Sequence, residues 1–449
     1  MGSINGGRAG CWWDAVLAPA ARRWGGLLVL ILLLGGGHGL ATAQTYAQGG
    51  QSRGLGSWMN PDIGFVYDLK CDFHDAERDS TGEKIWTTRG FKLSTAELSI
   101  GAEIDPYARI DFNGMFSEAG AEIHELFFLF PALPLNLKLK GGHFLANFGR
   151  WSQFHSHAMP FSSEPRLLHE YLEGHLSPTG LELSWLVPIS HYVELTGGLY
   201  NALLGHSHDT DPSSSTAAWG PDNPPPGCHF HGDEIHCPGH PELEEAYLDA
   251  VGDASAPSRG KTNRELEDLA FLGRANSSLE LGLSWSIDLG ASIAHQPRYA
   301  HSQRFPGESY AKSVYGADVT VFWNPPERNL YTGLDFGIEL LANDEQFELR
   351  EYDGYVRRTL KRSGLFAYGR YRLNKSWSGG LFGESFQPRT GTGDRRERRG
   401  AFLVYNISHF QSLRLEFSHY DQQRGQDPVH SIILQYDGVI GYHTHGRQR

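Results

Sequence analysis

Asn329-Leu330-Tyr331-Thr332-Gly333-Leu334-Asp335-Phe336-Gly337-Ile338-Glu339-Leu340 decides how the chain folds. Leu330, Thr332, Leu334, Phe336, Ile338 and Leu340 fall on one side, and Tyr331, Gly333, Asp335, Gly337 and Glu339 on the other. Successive side chains of a strand point to opposite faces, so this is a strand with one apolar and one polar face. One such strand fits a soluble sandwich as well as a membrane barrel. The repetition of the pattern separates the two.

Similar segments recur at 59–70, 88–105, 106–118, 120–131, 134–145, 178–187, 190–202 and 265–283. They continue at 285–296, 309–323, 329–343, 362–373, 375–387, 397–408, 410–420 and 428–442. Tight connections, such as Asp105-Pro106 and Asn374-Lys375, alternate with longer polar ones at 71–87, 146–177, 203–264, 297–308, 344–361, 388–396 and 421–427. An even strand count with short turns on one side and long loops on the other predicts an all-β, antiparallel, up-and-down transmembrane barrel of about 16 strands. The barrel is expected over 59–442, after a short segment at 44–58 and before a tail at 443–449.

The N-terminus predicts export. Arg22 and Arg23 precede the apolar run 27–34, and Ala41-Thr42-Ala43 offers small residues for cleavage before Gln44, so 1–43 reads as a signal peptide. The apolar run is too short for a spanning helix, which needs about 20 residues. Glycine is abundant (54 residues) and methionine rare (4), while mean hydropathy is negative, as expected where only alternate residues meet lipid. The net charge of −13 disfavours nucleic acid as a partner. The expected surroundings are outer-membrane lipid, the barrel-assembly machinery that reads a C-terminal strand, and small ions or solutes.

Gly142-His143-Phe144-Leu145-Ala146-Asn147-Phe148-Gly149, Met159-Pro160-Phe161-Ser162-Ser163-Glu164-Pro165-Arg166, Gly174 and Thr179-Gly180-Leu181-Glu182-Leu183-Ser184-Trp185 together resemble the phosphate-selective porin O/P-like group. Asn60-Pro61-Asp62-Ile63 and Gly441-Tyr442-His443-Thr444-His445 also look like outer-membrane proteins labelled zinc-regulated or TonB-dependent receptors. The resemblance implies a pore with its third external loop folded inward, in a trimer. In this chain Ser162-Ser163-Glu164-Pro165-Arg166 separates the acid from the base, and no basic ladder for phosphate is apparent. A gated receptor has about 22 strands around a plug. The short stretch between Gln44 and the first strand leads us to expect no plug domain.

Two loops gather the chemistry. The third, 146–177, holds Arg150, His155, His157, Glu164 and Arg166, then His169, Glu170, Glu173 and His175. Folded inward, these groups form a pore constriction, where charge sets selectivity. Lys138, Lys140, Arg370 and Arg372 are expected to face the lumen opposite Glu97, Glu103, Asp335 and Glu339, giving a transverse charge separation. The fourth loop carries His206, His208, His229, His231, Asp233, His236 and His240. Imidazole and carboxylate together suit Zn2+ or another divalent metal, although no cofactor is required by the fold. Cys228 and Cys237 are expected to form a disulfide in an oxidising compartment.

The sequence therefore reads as a non-enzymatic, porin-like channel of the outer membrane that admits small ions or solutes and captures metal at an external loop. One alternative is a metal-binding surface receptor with no open pore. A second is a rim hydrolase using His419-Tyr420-Asp421 and His74-Asp75, although no G-x-S-x-G motif occurs.

Overall fold

The computed structural model describes residues 61–78, 83–117, 120–203, 205–206, 229–231, 234–236, 255–257, 265–302, 307–326, 331–351, 354–388, 395–421 and 427–441. The signal segment, Cys228, Cys237, His208, Asp233, His240 and the tail lie outside the described residues.

Sixteen long strands form one sheet. They are β1 Asp62–Arg78, β2 Lys84–Glu103, β3 Arg109–Ser117, β4 Gly120–Leu133, β5 Leu137–His143, β6 Thr179–Leu186, β7 Tyr192–Tyr200 and β8 Ala270–Leu281. The second half comprises β9 Trp285–Ser302, β10 Ser309–Trp323, β11 Gly333–Glu351, β12 Gly354–Arg372, β13 Trp377–Phe386, β14 Arg396–Asn406, β15 Gln411–Asp421 and β16 Val429–Gly441. Each pairs antiparallel with its sequence neighbour, and β1 pairs with β16, with Phe65 opposite Ile440 and Leu69 opposite Tyr436. That last pairing closes the barrel and removes the exposed edges. Among the described residues there is no separate plug domain.

The alternation sets the two faces as expected. On β11, Asp335 and Glu339 point inward and are buried, while Phe336 and Leu340 stand on the outer wall, 45% and 46% exposed. Trp185, Trp285, Trp323, Tyr371, Trp377 and Tyr405 follow the outward parity at the short-turn end. Trp377 and Tyr405 are 4.6 Å apart across a strand pair. Such a girdle marks a membrane–water interface. The turns have their own chemistry. The Asp105 carboxylate accepts the N–H groups of Tyr107 and Ala108, and the Asn374 side-chain oxygen those of Ser376 and Trp377.

Two segments read as external loops are instead strand. β1 and β2 extend through much of 71–87, and β11 and β12 form a hairpin over most of 344–361. Beyond the bilayer both faces of a strand meet water, so the apolar alternation that identifies strands disappears. Cross-strand neighbours of opposite charge, such as Asp344 and Lys361, continue the pairing there.

The apolar core lies inside the lumen rather than between layers. Phe144, Phe148, Trp151, Phe161 and Leu168 of the third loop pack against inward-facing Tyr310, Phe366, Phe382, Phe386 and Phe402 of the wall. Val319, 43% exposed on the outer face four residues from Trp323, tests the assignment of faces. Val319→Arg should cost about 2–4 kcal/mol in equilibrium unfolding from lipid bilayers if it sits near mid-membrane. A neutral effect would contradict an outward-facing Val319.

Candidate functional site

The candidate site is the third loop, residues 144–178, together with the inner wall that holds it. Glycines bracket its entrance. Gly142 has φ +135°, and a Cβ there would lie 2.2 Å from the Leu126 carbonyl oxygen. Gly149 has φ +57°, and a Cβ there would meet Glu339 Oε1 at 2.2 Å. Both positions therefore demand glycine. Between them Phe144 and Phe148 are fully buried anchors.

Past Gly149 the loop crosses the lumen through short turns at Trp151–Gln153 and Ser156–Ala158, then a seven-residue helix, α1, Arg166–Leu172. Backbone amides taken away from water need partners, and inward-facing carboxylates supply them. Glu339 accepts the N–H groups of Arg150 (2.8 Å) and Trp151 (3.2 Å). Glu416 accepts those of Ser162 (2.7 Å) and Ser163 (3.2 Å). Glu384 accepts Leu167 N–H, Glu182 accepts Asn147 N–H, and Glu125 accepts Leu145 N–H. Guanidinium groups serve the loop's carbonyls. Arg398 donates to Glu164 O, Arg362 to Glu170 O and Arg414 to His157 O. Phe161 sits at the centre, its ring 5.1–5.8 Å from Trp151, Phe366 and Phe382.

Two carboxylate–imidazole knots complete the anchorage. His155 Nδ1 lies 2.8 Å from Glu97 Oε2, and its Nε2 3.5 Å from Glu125 Oε2. Burial opposes charge on this imidazole, but Glu97 and Glu125 outweigh it and push it up to about 10. Glu164 lies 3.1 Å from both His169 Nε2 and His175 Nε2. Burial works against its charge, yet His175 and His169 hold its carboxyl well below the usual range.

The residues expected to line a constriction thus divide. Arg150 and His157 line a cavity of about 510 Å³ on the short-turn side of the loop, while His155, Glu164, His169 and His175 lie within the knots. Arg166 stacks over Tyr420, Glu170 is 3.9 Å from Arg396, and Glu173 is 3.6 Å from Lys312 and accepts the Tyr299 hydroxyl. The wall charges are paired with near neighbours, not set across the lumen from each other. Arg370 and Arg372 both meet Asp335 on the adjacent strand, at 2.5 and 3.3 Å. Lys138 meets Glu194 at 3.4 Å, and Lys140 meets Glu125 at 3.9 Å. These charges pair locally, because oppositely charged residues occupy the inner face of adjacent strands or, for Lys138 and Glu194, of strands one apart.

Sequence reasoning missed Glu384, Glu416, Arg362, Arg398 and Arg414. Their signal is inward parity on assigned strands, which marks a lumenal charge without naming its partner. In the fourth loop the backbone pairs His229 with His236 and His231 with Glu234, and His206 with His175 of the third loop. The fragments expected of a rim hydrolase are split between faces: Tyr420 points inward beneath Arg166, while His419 and Asp75 follow the outer face. His419 Nδ1 is 3.0 Å from His430 Nε2, and His430 Nδ1 is 2.8 Å from Asp75 Oδ2, in line with outward-facing Phe417.

No family model matches the chain. It is 24% identical over 368 residues to an uncharacterized protein of Aquifex aeolicus (strain VF5), a match covering 79% of this chain and 70% of that protein. Among solved structures, the outer membrane channel DcaP of Acinetobacter baumannii superposes with a TM-score of 0.50 at 10% identity, over 85% of this chain and 97% of its own. The anion-selective porin from Comamonas acidovorans gives 0.49 at 9% identity, over 85% and 99%. The fold is that of an outer-membrane porin barrel: 16 closed antiparallel strands with an apolar outer wall, which belongs in a Gram-negative outer membrane.

Proposed function

We propose that the protein is a passive channel for small ions or polar solutes, with the lumenal loop as its constriction. The carrying observation is the anchorage of residues 144–178 inside the barrel by Glu339, Glu384 and Glu416, which places the loop where it narrows the lumen. The cavity beside the loop presents Arg150, Arg370 and Arg414 with Asp288, Asp335 and Asp437. Acids and bases in near balance favour weak selectivity for charge. This supports a general path for small polar solutes more than a phosphate-specific one. Assembly as a trimer belongs to the same reading, and no catalytic step is assigned.

The second element of the proposal is metal capture by the fourth loop. The pairing of His229 with His236 across a tight hairpin supports it, since it brings histidine positions together on adjacent strands. Calorimetry with zinc should give heat that is lost in the variant His229→Ala, His231→Ala, His236→Ala. Equal heats would remove this element. A barrel that binds zinc but passes no ions would instead favour the metal-binding receptor.

In planar bilayers the purified protein should give discrete ion-conducting steps. Glu416→Gln weakens charge-assisted bonds to two loop amides, each worth about 1.5–3 kcal/mol, and should give larger or noisier steps. No current from either protein would overturn the channel. The Glu164 knot adds a pH dependence. Its carboxyl is lowered in the docked loop, so its contribution is present above about 4.5 and is lost as pH falls through the docked value. Steps should stay constant between pH 7 and 5 and become noisy only in stronger acid, whereas Glu164→Gln should be noisy already at pH 7.

A further inference from the structure

Where the lumenal loop meets the inner wall at one side of the cavity, metal-ligating groups gather that the proposed function leaves without a role. Glu97 comes from the inner face of β2, and His155 and His157 flank Ser156 in the turn Ser156–Ala158. All three are buried, and one donor atom from each lies within 4.8 Å of the others. In a four-coordinate zinc site with bonds of about 2.0–2.2 Å, ligand atoms stand roughly 3.3–3.5 Å apart. Donor atoms now up to 4.8 Å apart must draw in, and the ion takes the place of the proton between His155 Nδ1 and Glu97, which is released to solvent.

The surroundings are those of a supported site. Ser99 Oγ donates to Glu97 Oε1 at 3.3 Å, orienting the carboxylate. Glu125 Oε2 lies 3.5 Å from His155 Nε2, on the side of the ring away from Glu97, and is itself held by Asn113 and by Leu145 N–H. A carboxylate behind a ligating imidazole fixes its tautomer and raises its basicity. Arg414 Nη2 donates to the His157 carbonyl at 2.6 Å and so fixes the turn that carries both histidines. His157 also lines the open cavity, which gives an ion a route to the donors.

We propose that Glu97, His155 and His157 form a binding site for a divalent transition metal, with Glu125 supporting His155 from behind. Two imidazoles and a carboxylate suit Zn2+, Co2+ or Ni2+, in contrast to the all-oxygen sets of Ca2+ and Mg2+. The site joins the loop to the barrel wall, so a bound ion pins the loop to that wall. It is separate from the histidines of the fourth loop, and it does not depend on whether the lumen conducts.

The test uses the full chain folded in detergent, with His229, His231 and His236 replaced by alanine, and Co2+ as the probe. One equivalent of Co2+ should develop visible d–d absorption, and X-ray absorption should find two imidazoles at the ion. Losing a partner behind a ligand costs about 10–100-fold in metal affinity, so removing a ligand should cost at least about 100-fold. His157→Gln and Glu97→Gln should each weaken Co2+ by that factor. His157→Gln leaves the Glu97–His155 ion pair intact and serves if Glu97→Gln does not fold. Absence of the bands in the parent protein, or unchanged affinity in His157→Gln, would overturn the proposal and leave Glu97–His155 as an ion pair only.

Discussion

Carboxylates on the inner wall that accept backbone N–H groups from the third loop are the interaction on which the rest of the structure depends. A loop drawn into a barrel gives up hydration of its amides, and each one left without a partner would cost about 1–3 kcal/mol. Glu339 and Glu416 each take two consecutive N–H groups, and Glu384 takes the amide of Leu167 in α1. Charge-assisted bonds are roughly twice as strong as neutral ones. The carboxylates thus offset the desolvation of these amides and fix where the loop crosses. Gly149 is needed because its backbone passes against Glu339.

This changes the meaning of the lumenal charges. A field across the pore requires unpaired charges on opposite walls. Here Asp335 is engaged by Arg370 and Arg372, and Arg398 by Glu384 and Glu416. Charges spent on anchorage contribute little net field along the path. Where the loop crosses, the lumen holds an aromatic nest centred on Phe161, with a mixed set of acids and bases around the cavity below it. The same anchorage places His155 and His157 against Glu97, so this contact is both a structural tie and the proposed metal site.

Strand number, the closing of the barrel and the inward parity of Asp335 and Glu339 were legible in the sequence, because period-two alternation is a local property of a membrane strand. The ends of β1, β2, β11 and β12 were not, since outside the bilayer nothing imposes alternation. The resemblance implied an inward third loop, and nine ionisable residues marked that loop as the place where chemistry gathers. What each residue does there was hidden by distance along the chain. Ser162 meets Glu416 across 254 residues and Arg150 meets Glu339 across 189. No local pattern encodes such pairs. Glu164 and His155 were read as groups facing the solute, yet both are buried in ties to histidine or glutamate.

Hydrogen exchange at individual loop amides tests the central claim most directly. Amides of Arg150, Trp151, Ser162, Ser163 and Leu167 should exchange as slowly as those of the barrel strands, and Glu416→Gln should release Ser162 and Ser163 first. Exchange of all five at the rate of a solvated external loop would contradict a loop held inside the barrel by wall carboxylates.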